Sequence, residues 1–149
     1  MILLLTMRPT GKARPRERGR LPTEYRQWKK HAATLLQMQL LQGRWPKATD
    51  PHRHAVRVSA VAYHSRPKSP PAWMTKEERA AFRSGWSPAR LATPDADNLI
   101  GAILDSLTDS QCCWVDDTQA ILGSVSSTWA AAGKDPHIVV TLERLDWEL

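Results

Sequence analysis

Hydrophobic and polar positions follow two periods along the chain, and each change of period predicts a new element. Residues 2–6 form a short uninterrupted apolar run, which predicts a buried strand. Residues 23–42 carry apolar side chains at helical spacing and end before Gly43, which predicts a helix with one buried stripe. In residues 54–63 apolar side chains alternate, which predicts a strand. The inward face of that strand comprises Val56, Val58, Ala60 and Ala62.

An insertion interrupts this pattern in the middle of the chain. Residues 65–92 are rich in Pro and Ser, which is typical of an excursion from the sheet. Thr75 and Glu78 have the spacing of a capping box, so a short helix is expected over residues 76–83. We therefore expect residues 65–92 to form a mobile flap.

The remaining pattern completes an α+β domain. Apolar residues at helical spacing predict a helix over residues 98–108. Residues 120–128 and 138–145 predict two strands, and the turn residues 131–136 between them predict an antiparallel hairpin. The order β-α-β-(flap)-α-β-β predicts a two-layer sandwich with a mixed sheet and both helices on one face, in a single domain over residues 1–149.

The apolar runs are too short for a membrane protein. No run approaches the length that spans a bilayer, and the initial MILLLT is too short for the core of a signal peptide. We therefore expect a cytoplasmic protein with no membrane partner.

Charge is divided unevenly between the two halves of the chain. Residues 1–90 hold 19 Lys and Arg against 5 Asp and Glu, whereas residues 91–149 hold 2 against 10. This division indicates a polyanionic partner held near a cation-binding pocket, although solvated faces would explain it too. In the basic half, cations recur at every second residue of an expected loop, a spacing that suits contact with phosphates. These cations are Lys12, Arg14, Arg16, Arg18 and Arg20, and Lys29 and Lys30 would widen the surface.

The acidic half contains a stretch with no Lys or Arg at all. Between Leu91 and Gly133 it holds six acids, Asp95, Asp97, Asp105, Asp109, Asp116 and Asp117. Asp95 and Asp97 are two apart in an expected extended segment, so they would project to the same side. Asp105 lies two helical turns beyond Asp97 on the same face. Asp117 precedes the next strand and would approach the first two if helix and strand are neighbours.

Carboxylates this close repel one another unless a cation joins them. Hard oxygen ligands favour Mg²⁺ or Mn²⁺ over Zn²⁺, and such ions suit phosphodiester hydrolysis. The alternative is purely structural. Asp97 would then be a helix N-cap, Asp95 a turn residue, and Asp116 with Asp117 an Asx turn.

Three segments of the acidic half resemble the RusA-type Holliday junction resolvases, whose pattern reads roughly P-D-x-D-N-L-x-K, then D-A-L, then D-D-x-Q. The matching segments are PDADNL (94–99), ILDSL (103–107) and WVDDTQ (114–119). RPTGKARPR (8–16) and EYRQWKK (24–30) are similar to the basic loop and first helix of that family. The resemblance covers most of the chain except residues 66–90.

The resemblance implies a Mg²⁺-dependent endonuclease, with Mn²⁺ as a possible substitute, that acts as a homodimer on four-way DNA junctions. It implies paired symmetric nicks and a bacterial or phage origin. The catalytic, metal-binding aspartates of the family fall on Asp95, Asp97 and Asp117. Asp116 and Asp105 also match family positions, so they are included as metal candidates.

One departure from the family pattern bears on catalysis. The lysine that follows the second Asp by four residues is here Gly101, one helical turn from Asp97. We expect a cation from the basic loop or flap to replace it, and the candidates are Lys12, Lys76, Arg90 and Lys134. One alternative is a junction-binding protein with weak or lost cleavage. Another is a small Mg²⁺-dependent phosphohydrolase acting on nucleotides.

Overall fold

The elements follow the order that the hydrophobic pattern predicts. The computed structural model describes residues 1–14, 19, 21–92 and 94–148. The α+β class and the order β-α-β-(flap)-α-β-β are confirmed, and a short 3₁₀ turn, Asp117–Gln119, precedes the third strand. The strands are β1 (Ile2–Leu5), β2 (His54–His64), β3 (Ala120–Trp129) and β4 (His137–Asp146), and the helices are α1 (Thr23–Gln42), α2 (Lys76–Arg83) and α3 (Ala96–Asp109).

The four strands form one mixed sheet in the order β1-β4-β2-β3. Strand β2 pairs in parallel with β3 and antiparallel with β4, and β1 pairs antiparallel with β4. The predicted hairpin between the last two strands is therefore wrong, because β2 lies between them. β2 is the longest strand and pairs with a neighbour on each edge. Residues 130–136 only have to cross one strand, a distance of about 10 Å between β3 and β4.

The core lies between the sheet and two helices that pack against each other, α1 and α3. The predicted inward face of β2 is confirmed, since Val56, Val58, Ala60 and Ala62 are all buried. The helices present Ala32, Leu36 and Leu40 from α1, and Leu99, Ile103 and Leu107 from α3. The polar face of α3 is consequently turned away from the core. Within the described residues, no helix has the length and apolarity needed to cross a membrane.

The flap is tied to the end of the sheet. Thr75 and Glu78 form the predicted capping box at the start of α2. Phe82 at the other end of α2 packs edge-on against Trp129 of β3, with ring centroids 5.5 Å apart. The Arg90 backbone N–H donates to the carbonyl oxygen of Ser127 (2.7 Å) where the chain returns towards α3. These contacts place the start of α3 next to β3.

Candidate active site

The first two candidate aspartates lie at the N-terminus of α3. The helix begins at Ala96, two residues earlier than predicted, and Asp95 is its N-cap. Asp95 Oδ1 accepts a hydrogen bond from the Asn98 backbone N–H (2.9 Å). Asp97 lies in the first helical turn, so the expected extended segment and the alternative of Asp97 as N-cap are both wrong. Both side chains are exposed, and their charge is favoured there by the helix dipole.

The second pair of aspartates forms the 3₁₀ turn before β3. Asp116 caps this turn, accepting from the Thr118 backbone N–H (2.8 Å), and this hydrogen bond holds the pKa of Asp116 below its ordinary value. Asp117 is the first residue of the turn and is exposed. The turn contacts both α3 and β2. The loop before it is tied to the C-terminal end of α3, where Trp114 Nε1 donates to Thr108 Oγ1 (2.9 Å), whereas Asp95 at the other end of α3 lines a cavity with Val125 and Ser127 of β3. The predicted adjacency of helix α3 and the strand entry is thus present.

A buried amide fixes the 3₁₀ turn. Gln119 Oε1 accepts from the backbone N–H groups of Val115 (2.9 Å) and Asp116 (3.1 Å). Its Nε2 donates to the carbonyl oxygens of Ala48 (3.1 Å) and His54 (3.0 Å). Sequence reasoning missed this residue as a positioning group, although it stands in the quoted D-D-x-Q motif. Its hydrogen bonds hold the acidic turn against the start of β2.

The C-terminal half of the acidic helix is neutralised by the basic half of the chain. Lys12 Nζ lies 3.3 Å from Asp105 Oδ1, and the Tyr25 hydroxyl donates to Asp105 Oδ2 (2.9 Å). Burial, together with the Asp105 carboxylate, raises the pKa of Tyr25, so the phenol stays a donor. Lys29 Nζ lies 3.3 Å from Asp109 Oδ2. Both Asp105 oxygens are engaged, which favours a positioning role over metal ligation.

The other four acids of the cluster form no ion pair of this kind in the described part of the chain. Within the described ranges, no ion pair joins Asp95, Asp97, Asp116 or Asp117 to a cationic side chain. Among the same residues, no three acidic, His or Cys side chains are grouped closely enough to hold a metal ion. The convergence of Asp95, Asp97 and Asp117 on one ion therefore stays a prediction. Their chemistry fits a hard divalent cation, since all are carboxylates exposed to solvent.

The cations predicted to contact DNA differ in exposure and in ion pairing. Lys12, Arg14 and Lys30 are exposed, whereas Lys29 is partly covered and paired with Asp109. Three further members of the predicted phosphate-contacting series, Arg16, Arg18 and Arg20, lie outside the described residues. An open, largely apolar cavity of about 570 Å³ lies beside Asp95, between the return of the flap and β3.

Of the four candidate replacements for the missing lysine, Lys12 lies over Gly101. A Cβ placed on Gly101 would stand 3.1 Å from Lys12 Cδ and 3.3 Å from Lys12 Cβ. Lys76 begins helix α2 in the flap, and Lys134 lies between β3 and β4. Arg90 lines the cavity beside Asp95.

An α+β fold with exposed aspartates at a helix start and in the turn before a strand, together with a basic loop docked on that helix, is typical of a divalent-metal-dependent nuclease. The comparison with protein families agrees with this class. The family described as Endodeoxyribonuclease RusA matches residues 6–143, and the chain therefore belongs to the RusA family of endodeoxyribonucleases. These enzymes are Holliday junction resolvases, depend on divalent metals in general and are found in bacteria and phages. No curated protein matches the chain.

Proposed function

We propose that this protein resolves four-way DNA junctions by Mg²⁺-dependent paired symmetric nicks. The observation that carries the proposal is the division of the acidic cluster. Lysines of the same chain neutralise Asp105 and Asp109, while no ion pair among the described residues joins Asp95, Asp97, Asp116 or Asp117 to a cationic side chain. Four carboxylates kept without a cation in a protein of net charge +6 are the arrangement that an external divalent ion requires.

Asp95, Asp97 and Asp117 would hold the ion. When bound, Mg²⁺, or Mn²⁺ in its place, lowers the pKa of water and stabilises negative charge on phosphate oxygens. Asp95 has one oxygen engaged in capping, which orients its carboxylate at the helix start. Gln119 and Asp116 hold the turn that carries Asp117.

The basic surface would hold the junction. Arg14, two residues after Lys12, and Lys30 of α1 are exposed and suit phosphate contacts. Four-way junctions have approximate two-fold symmetry, so a homodimer related by a two-fold axis would place two active sites on opposite strands. The two sites would make the paired nicks of the proposal. The reaction would take place in the cytoplasm of a bacterial or phage-infected cell.

The test is cleavage of a synthetic four-way junction with labelled strands. In Mg²⁺ the wild-type chain should nick two opposite strands at symmetric positions and leave a linear duplex of the same length intact. Asp97→Asn should lower the single-turnover rate by at least about a hundredfold, because it removes a ligand of the ion. Junction affinity, measured in Ca²⁺, should remain. Asp135→Asn, an exposed carboxylate between β3 and β4, is the matched control.

Three results would reject the proposal. Equal rates for Asp97→Asn and Asp135→Asn would show that the acidic helix start is not the metal site. Binding of the junction without any cleavage by the wild type would instead identify a junction-binding protein. Hydrolysis of nucleotides that survives Arg14→Ala, without action on junctions, would identify a small phosphohydrolase.

A further inference from the structure

We propose that Lys12, a residue of the loop between β1 and α1, supplies the cation that contacts the scissile phosphate, through the space that Gly101 leaves on the polar face of α3. The inference rests on the proposed function and adds a residue to its site. It separates Lys12 from the other basic residues of the loop, which hold the DNA backbone away from the reacting group. Three sets of contacts carry it.

The backbone of the loop is docked on the first turns of α3. The Lys12 backbone N–H donates to the Asn98 carbonyl oxygen (2.8 Å). Next to it, a Cβ on Gly11 would stand 2.8 Å from Pro94 Cβ and 3.2 Å from Asn98 Cβ, so the loop approaches the helix as closely as backbone allows. Asn98 directly follows Asp97. The Cα of Lys12 is thus held beside the start of the acidic helix.

The side chain of Lys12 then runs along the helix face that Asp97, Gly101 and Asp105 share. Its stem covers Gly101, with Cδ, Cβ and Cγ as the three nearest atoms to a Cβ placed there. Its ammonium reaches Asp105 Oδ1 at 3.3 Å. Successive members of this face are about 6 Å apart along the helix axis. The Lys12 stem therefore lies one turn from Asp97, and its ammonium is tethered one turn further on, at Asp105.

Gly101 makes this path possible. Glycine in a helix interior lowers helix stability relative to alanine, so its presence calls for a packing reason. The reason in this structure is the Lys12 stem, since any Cβ at position 101 would crowd it. A cation that extends from position 101 is thus replaced by one that enters the same space from the loop.

The ammonium remains able to leave Asp105. The Lys12 side chain is 51% exposed, and an exposed ion pair of this kind is weak. Lysine has a flexible four-carbon stem, so rotation beyond Cδ moves the charge without moving the loop. In hydrolysis a water oxygen bonds to phosphorus, one bridging P–O bond breaks, and the released oxygen takes a proton. Lys12 donates hydrogen bonds to a non-bridging phosphate oxygen as negative charge grows on that oxygen.

The experiment separates the rate of cleavage from binding. Lys12→Ala should lower the single-turnover rate at saturating protein by about a hundredfold, the effect of removing one transition-state donor. Its junction affinity in Ca²⁺ should stay within about threefold, because it removes one of several phosphate contacts. The matched control is Lys47→Ala, an exposed lysine between α1 and β2, which should leave the rate at saturation unchanged.

Moving the cation tests its position. The double variant Lys12→Ala with Gly101→Lys puts an amine back on the same helix face, and its rate should return to within about tenfold of wild type. Gly101→Lys alone should give no gain, because its Cβ crowds the Lys12 stem and Lys12 already supplies the charge.

Each contrary result has its own meaning. A wild-type chain that cleaves while Lys12→Ala cleaves as fast overturns this inference alone. So does a hundredfold gain in Gly101→Lys alone at unchanged affinity, or a double variant as slow as Lys12→Ala. A wild-type chain that cleaves no junction in Mg²⁺ overturns the proposed function, and the role of Lys12 with it.

Discussion

The two long connections of this protein, the basic loop before α1 and the flap before α3, look alike in sequence and differ in how they use their cations. Each is rich in Pro and in Lys or Arg. In the flap, Arg66 points into its own segment. In the basic loop, Lys12 lies over the acidic helix with half of its side chain exposed.

Arg66 holds the flap together. Its guanidinium donates to Ser87 Oγ (2.6 Å) and to the carbonyl oxygens of Phe82 and Trp86, the latter at 2.9 Å. It also lies 3.8 Å from the centroid of the Phe82 ring. A planar group with this many donors suits several acceptors at once. Arg66 therefore has a structural role, although its charge alone would have suggested a phosphate contact.

The Lys12 ammonium makes a single hydrogen bond within the described residues, the one to Asp105. The lesson of the comparison is that net charge in a loop does not distinguish a cation that stabilises the fold from one that serves a ligand. The number of acceptors that surround the charge makes that distinction. Four measurements test this distinction between the two loops.

The largest effect on stability is expected from Arg66→Ala. Losing its hydrogen bonds leaves partly buried carbonyl oxygens unpaired, so the free energy of unfolding should fall by about 3 kcal/mol. Arg66→Lys should restore little, since an ammonium does not span the same acceptors. Urea unfolding measures both variants. If Arg66→Ala unfolds at the same urea concentration as wild type, the flap does not depend on Arg66.

A smaller effect should appear on acidification at the base of the flap. His64 is buried at the end of β2, with Nε2 3.5 Å from Arg90 Nη1. Burial, then the charges of Arg90 and Arg8, lower its pKa from 6.5 to about 4. Between about pH 6.5 and pH 4, His64 is therefore protonated in the unfolded chain and neutral in the folded chain. Stability present above about pH 6.5 should be lost progressively towards pH 4.

The check is the free energy of unfolding at about pH 7 and about pH 5, with an expected fall of about 1 to 2 kcal/mol. His64→Asn removes the titrating group, so its profile should be flatter over this interval. Parallel profiles for the two proteins would assign the acid sensitivity to other groups.

A gain in stability is expected at Gly101 when Lys12 is absent. In a Lys12→Ala background, Gly101→Ala should raise the free energy of unfolding by about 1 kcal/mol through helix propensity. In the wild-type background the gain should be smaller, because the new Cβ stands 3.1 Å from Lys12 Cδ. Urea unfolding of the four proteins of this cycle gives the coupling. Equal gains in both backgrounds would mean that the Lys12 stem does not occupy that space.

The smallest effect is expected from Lys12→Ala itself. Its ion pair is exposed, so the free energy of unfolding should change by less than about 0.5 kcal/mol. Thermal unfolding beside Arg66→Ala measures the contrast directly. A loss as large as that of Arg66→Ala would make Lys12 another structural cation and remove the difference between the two regions.

Local sequence patterns were enough to predict most of the helices and strands. The helical spacing of residues 23–42 predicted α1 with the bounds observed, and the capping box predicted α2. The start of α3 was placed two residues late because the pattern alone left open which of Asp95 and Asp97 is the cap. The predicted hairpin failed for a different reason. Nothing in residues 131–136 records that β2 takes the place between β3 and β4.

Periodicity and motif spacing are properties of neighbouring residues, so the sequence was enough to predict the elements, the division of charge and the family. The packing of the folded chain pairs Asp105 and Asp109 with lysines and leaves the other four acids without an ion pair among the described residues. It also decided that Lys12 covers Gly101. The physical reason is distance along the chain: Lys12 and Asp105 are separated by 93 positions, and contacts of that range depend on how the whole sheet and both helices pack.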